Sequence, residues 1–158
     1  MPGALPSACI TWFQAEQACR LSGKRLLTNQ EWQAAAAGTP QTGLISGPME
    51  CNTNSTGPTA TGSRPLCKSS WGLFDMAGNV AEWVADWVPR STNCPGWSTF
   101  STNDMCLSGA FTTAFGPGAL IRGGDWGLGD GTLSGPFTVY GNNYPYTTDP
   151  VIGFRCAR

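Results

Sequence analysis

Three groups of residues in this chain have the types and spacing to do chemistry. Asp75 and Glu82 flank a Gly78-Asn79 turn signal, and a hard cation such as calcium takes carboxylate and backbone carbonyl oxygens from so tight a loop. A second reading of the same spacing has Asp75 capping a turn and Glu82 on a solvated strand face. Seven cysteines, with no histidine and no Cys-x-x-Cys, speak for disulfides in an oxidising compartment rather than a zinc site. A reduced, cytosolic chain is the alternative. The third group is the tail, residues 121–158, where Gly, Asn, Asp, Thr, Pro and all three tyrosines of the chain lie between Arg122-Gly123-Gly124 and Gly153-Phe154-Arg155.

Other chemistries lack their residues. Without histidine there is no imidazole general base, and neither a Gly-x-Ser-x-Gly elbow nor a phosphate loop occurs. The formal net charge is -1 and only 12% of residues are charged. That leaves no electrostatic footprint for nucleic acid and no basic patch for an anionic membrane. No apolar run is long enough to span a bilayer, so direct membrane insertion is not expected. Partners are to be met through polar and aromatic contacts.

The cysteine spacing suggests two local bridges, Cys51 with Cys67 and Cys94 with Cys106, each stapling a loop without periodicity of its own. Cys19 with Cys156 then ties the first helix to the C-terminus, and Cys9 is left over. In the chain-entropy picture a loop that long stabilises by roughly 4–5 kcal/mol.

The elements that must position these groups are few. A length of 158 residues suits a single domain with a real core. The 21 Gly and 12 Pro beside seven Trp describe a loop-rich domain with aromatic anchors. Thr11 and Gln14 form a capping box, predicting a helix from Trp12 to a stop at Gly23. Thr28 and Glu31 form another, predicting a helix that reaches Ala37 and ends at Gly38. Residues 39–70 and 90–118 read as loop. Glu82 to Val88 alternates polar and apolar residues, which predicts a strand with one buried face ended by Pro89.

Four blocks together resemble a family. They are Gly23-Lys24-Arg25-Leu26-Leu27-Thr28-Asn29-Gln30-Glu31-Trp32, Asp75-Met76-Ala77-Gly78-Asn79-Val80-Ala81-Glu82-Trp83, Arg122-Gly123-Gly124-Asp125-Trp126 and Gly153-Phe154-Arg155-Cys156. In this order they resemble the sulfatase-modifying, formylglycine-generating-enzyme superfamily. The resemblance implies an α+β chain with that family's version of the C-type lectin fold: two helices on a small twisted antiparallel sheet with extensive loops, one domain over residues 1–158. It implies further chain ahead of Met1. It also implies a structural calcium ion, with side-chain oxygens from Asp75 and Glu82 and main-chain carbonyls from Gly78 and Val80.

Catalytic members of the superfamily use a cysteine pair that binds copper shortly after the Gly-Gly. At the matching positions this chain has Leu128 and Leu133, neither a soft ligand nor a nucleophile. No catalytic cofactor is therefore expected. The chain looks like the non-catalytic branch, the variable proteins diversified by diversity-generating retroelements, which display residues between the same Arg-Gly-Gly and Gly-Phe-Arg ends. That branch implies a binding role towards a variable protein or other macromolecular ligand, with residues 122–155 as the variable segment. Retroelement randomisation of AAC codons yields codons ending in C, which excludes Lys, Glu, Gln, Met and Trp. These five types are frequent up to Gly124, whereas residues 125–151 contain only Trp126.

The tail then divides by residue type. Trp126, Phe137, Val139, Ile152 and Phe154 are expected inside, with Phe137 and Val139 alternating on one strand. Arg122 and Arg155 are expected to pair with carbonyls or with Glu82 or Asp86. The displayed set is Asp125, Gly127, Leu128, Asp130, Thr132, Tyr140, Asn142, Asn143, Tyr144, Tyr146, Thr147 and Asp149, the Tyr-Asn-Gly mixture of a paratope. Two rival readings are an oxidase with relocated cysteines at Cys94 or Cys106, and a structural domain of a larger surface protein. Cysteine usage points to the outside of a cell or virion.

Overall fold

The computed structural model describes residues 3–41, 47–89, 117–128 and 133–158. Both helices begin where the capping boxes place them. Thr11 Oγ1 accepts from Gln14 N at 3.1 Å while Gln14 Oε1 accepts from Thr11 N at 2.9 Å, starting α1, Trp12–Leu21. Thr28 and Glu31 repeat the exchange at 3.2 and 2.9 Å for α2, Asn29–Ala35. The second helix is shorter than expected, closing on Ala36 before the chain turns through Gly38.

The strands are β1 Arg25–Leu26, β2 Ala81–Pro89, β3 Pro117–Arg122, β4 Val139–Asn143, β5 Ile152–Phe154 and β6 Cys156–Ala157. β1 pairs with β6, and the main sheet runs in the order β4-β3-β2-β5. The sheet is mixed, which corrects the antiparallel expectation: β5 lies parallel to β2. After β4 on one edge, the tail crosses to the opposite edge, so β5 enters by a crossover rather than a hairpin. Pro117 and Gly118, read as loop from sequence, open β3.

One buried face was expected for β2, yet residues Ala81, Glu82, Trp83 and Val84 are all buried. Both faces of the sheet are covered at this point. Ala81 and Trp83 pack with Ala15 and Cys19 of α1 and with Ile121 and Ile152. Val84 packs on the other side with Trp32 and Ala36, Leu120 and Val139. Beyond a register shift between Trp83 and Trp87, the strand leaves this shelter and Trp87 is exposed.

Two of the expected disulfides are formed, Cys19–Cys156 and Cys51–Cys67. Cys94 and Cys106 lie outside the described residues. Cys9 is a free, exposed thiol.

Candidate ligand-binding site

The two ends of the tail meet on either side of Glu82. In the sheet, Glu82 pairs with Arg122 of β3 on one side and with Gly153 of β5 on the other. Arg155 Nε donates to Glu82 Oε2 at 2.7 Å and Arg155 Nη2 to Oε1 at 2.6 Å, a bidentate fork that fixes geometry as well as charge. The same guanidinium donates to the Phe74 carbonyl at 3.0 Å. Trp32 Nε1 adds a third donor to the carboxylate at 2.7 Å. Asp86, the other expected partner, instead accepts from Asn29 N at 2.6 Å and so helps hold the start of α2.

Arg122 lies over the Trp32 ring, its Cζ 4.3 Å from the centroid, a cation–π contact in a dry setting. It donates to the carbonyls of Thr138 at 2.5 Å and Pro136 at 3.4 Å, and to the Gln33 side chain. Burial pulls its pKa down to about 9 against the upward pull of Glu82, leaving it charged at neutral pH. Trp32 figured in the sequence only as the end of a family block, without this role, and Gln33 not at all. Their only local signal is the capping box that builds their helix, and their partners lie far along the chain.

Glycine is required where the clasp is tightest. A Cβ on Gly153 would stand 2.5 Å from the Ser7 carbonyl oxygen. One on Gly124, at φ 71°, would meet the Leu133 carbonyl at 2.5 Å.

From this clasp the tail projects its middle. Tyr144 and Tyr146 stack with ring centroids 5.1 Å apart and planes 6° apart, and Tyr146 is 65% exposed. The Tyr144 carbonyl accepts from Thr147 N at 2.9 Å, and the Pro145 carbonyl accepts from Trp12 N at 2.9 Å. That second bond seats the stacked pair beside the first turn of α1. Asn142 and Asn143 are half-buried on β4, an edge of the described sheet. Gly127 is exposed and Leu128 half-buried. Asp130 and Thr132 lie outside the described residues.

Three members of the expected display set also make framework contacts, and Asp125 is the one that is buried. Asp125 is buried, with Oδ1 accepting from Gly127 N at 2.7 Å and its carbonyl accepting from Ser134 Oγ at 3.0 Å. Burial, with Asp149 nearby, pushes its carboxyl above the usual range. Tyr140 packs partly against the α1-side core opposite Ile121. Asp149 accepts from Val151 N at its side chain and from Cys9 N and Ile152 N at its carbonyl. Of the expected interior residues, Val139 and Ile152 are buried while Trp126, Phe137 and Phe154 are half-buried. Phe137 precedes β4 in a turn rather than alternating along it, because the Gly135 carbonyl draws in Thr138 N.

The two expected calcium ligands with side-chain oxygens, Asp75 and Glu82, have other partners. Both oxygens of Glu82 are engaged by Arg155, and one also by Trp32. Asp75 Oδ2 accepts from Gly62 N at 2.8 Å. The Gly78-Asn79 turn grips the disulfide loop: Asn79 N donates to the Asn52 carbonyl at 2.8 Å and Asn79 Oδ1 accepts from Thr59 N at 2.8 Å. Among the described residues no group of three or more His, Cys, Asp or Glu gathers. In this arrangement Arg155 occupies both oxygens of Glu82, so a divalent cation held by Asp75, Gly78, Val80 and Glu82 would have to displace that guanidinium.

Fold and clasp together define a class. The model of the sulfatase-modifying factor enzyme 1-like domain matches residues 1–158, and the chain belongs to that family. Its relatives include a protein named serine/threonine-protein kinase pkn1 from Chlamydia caviae, 30% identical over 97% of this chain and 24% of that protein. The formylglycine-generating enzyme of Thermomonospora curvata is 29% identical, over 96% of this chain and 55% of the enzyme. This chain thus spans about a quarter to a half of the length of such relatives. Among solved structures, the Major Tropism Determinant M1 variant superposes with a TM-score of 0.66 at 20% identity, covering 92% of this chain and 36% of that one. The U1 variant gives 0.65, also at 20% identity and the same coverage. The fold is therefore the C-type lectin fold expected from the sequence, with the sheet corrected to mixed.

Proposed function

We propose that this domain is a non-catalytic binding module whose tail, residues 122–155, presents a retroelement-diversified surface to a protein or other macromolecule. One observation carries the reading: two tyrosines stacked on each other, one of them largely exposed, at a place where the core needs neither. Rigid rings of this kind give contact area at low entropy cost, and the Asn and Thr beside them give adaptable hydrogen bonds. Leu128 and Leu133 occupy the positions of the copper-binding cysteines, which leaves the family's oxidase chemistry without its thiolates. Two superposing structures are named as variants of one determinant, in keeping with a fold that holds while its surface changes. Two disulfides among the described residues suit a domain outside the cell or on a virion.

The test separates framework from surface. A library randomised at Gly127, Leu128, Asn142, Asn143, Tyr144, Tyr146 and Thr147 is displayed on yeast and selected against lysozyme as a model protein target. Clones should fold with melting temperatures close to the parent, and binders should emerge. General unfolding of the library would show that these residues are structural. The diversification claim has its own check, since the neighbouring DNA should hold a near-copy of the tail's coding sequence, differing at adenines, beside a reverse transcriptase.

A further inference from the structure

No lysine or arginine stands between Gly123 and Phe154, whereas Asp125, Asp130 and Asp149 do. The arginines that bound this stretch are committed to the clasp: Arg122 is 1% exposed, and Arg155 is forked onto Glu82. The first turn of α1, on which the tyrosine pair is seated, brings no cation either, since residues 3–15 carry no charged side chain. The formal charges of the tail outside the clasp are thus all negative.

Asp149 is half-buried and follows Tyr146 by three residues. Its Oδ1 accepts from Val151 N at 3.0 Å, and among the described residues no lysine or arginine forms an ion pair with it. Its charge instead adds to the burial that holds the Asp125 carboxyl above the usual range. The Tyr144 and Tyr146 rings are stacked, Tyr146 is 65% exposed, and the face of an aromatic ring is negative by its quadrupole. Three residues of chain span at most about 11 Å, so one loop of a partner can reach both Tyr146 and Asp149. A guanidinium suits both, since it stacks on an aromatic face and also pairs with a carboxylate.

We infer that the surface of this tail fits a basic patch on a protein, with an arginine laid over the Tyr146 ring and a cationic side chain meeting Asp149; this rests on the binding role proposed above. Charge complementarity selects the partner: a basic patch relieves the repulsion among the aspartates, whereas an acidic patch adds to it. Nucleic acid and anionic lipid are disfavoured for the same reason.

The experiment selects a phage library of random disulfide-closed peptides on the intact chain, with the Tyr144→Ala, Tyr146→Ala double variant as the counter-selection. Peptides held by the parent and not by the double variant are expected to carry a net positive charge and at least one arginine. Synthetic peptides from that set should lose about tenfold in affinity between about 0.05 and about 0.5 M NaCl, and about tenfold when the arginine is replaced by glutamine. Asp149→Asn should weaken them severalfold. Asparagine still offers an oxygen to Val151 N, so this variant keeps the turn, and a shallower salt dependence in it would mark lost charge rather than lost structure. Tyrosine-dependent peptides that are neutral or acidic, or whose affinity is indifferent to salt and to Asp149→Asn, would overturn the basic partner and leave the binding role standing. A selection that yields no tyrosine-dependent peptide would overturn both.

Discussion

Glu82→Gln is the most informative single change. The substitution keeps the shape and one acceptor but removes the charge facing Arg155, and it places an amide among three donors. The Glu82 side chain is 7% exposed and that of Arg155 24%. Removing one partner of a buried pair costs about 3–5 kcal/mol, because the other charge is left uncompensated. Arg155 keeps the Phe74 carbonyl and some contact with solvent, so the lower end, about 3 kcal/mol, is expected. For a domain of this length that corresponds to a fall in Tm of roughly 6–12 °C. Urea denaturation followed by circular dichroism should show the lower midpoint with an unchanged slope. A cycle with Arg155→Met should give a coupling of about 2 kcal/mol or more, since the two side chains act as a unit. A loss below about 1 kcal/mol, or additive single changes, would refute the clasp as the joint between the ends of the tail.

Other outcomes follow from the same geometry. Cys156→Ser opens the bridge between residues 137 positions apart and should cost about 5 kcal/mol in the chain-entropy model; a small loss would place the stabilisation elsewhere. Thiol titration of the unreduced, denatured chain should find one free thiol, Cys9, whereas three would leave Cys94 and Cys106 unbridged and revive an oxidase reading. Arg25, with the Thr28 amide, holds Glu31 at about 2, below its ordinary 4.5. With the folded pKa lowered, that contribution is present above pH 4.5 and is lost as pH falls towards 2. Glu31→Gln keeps the capping box and should flatten this acid limb in pH-dependent melts; identical limbs would contradict the assignment. Asp125 is raised, so its contribution is present at low pH and lost as pH rises through its folded pKa. Asp125→Asn, which still accepts from Gly127 N, should therefore raise Tm at neutral pH relative to the parent, and no gain would show the carboxylate to be better compensated than it looks.

What could be read from the sequence was mostly local. Both capping boxes are exchanges across three positions, so the helix starts were legible residue by residue. Cys51 and Cys67 are 16 positions apart and lie in a stretch with nothing else to hold it. The pairing of Arg155 with Glu82 was legible as one of several choices because a buried arginine needs an acceptor. Trp32 was not: its bond to Glu82 joins positions 50 apart, and a tryptophan in a helix reads as ordinary core. Asp125 was misread because an aspartate among glycines looks solvated, whereas the turn it makes with Gly127 folds beneath Ser134. The parallel β5 left no sequence signal, since three residues have no direction of their own.

The Cys19–Cys156 bridge has a mechanical consequence. Tension applied to the chain outside these two residues runs from the backbone at Cys19 through the sulfurs to Cys156, a covalent short circuit around residues 20–155. The two helices' connection, the sheet and the tyrosine-bearing tail lie off the load path. When the chain is pulled at its two ends, the residues that meet the ligand can change or even be cleaved without parting the tether.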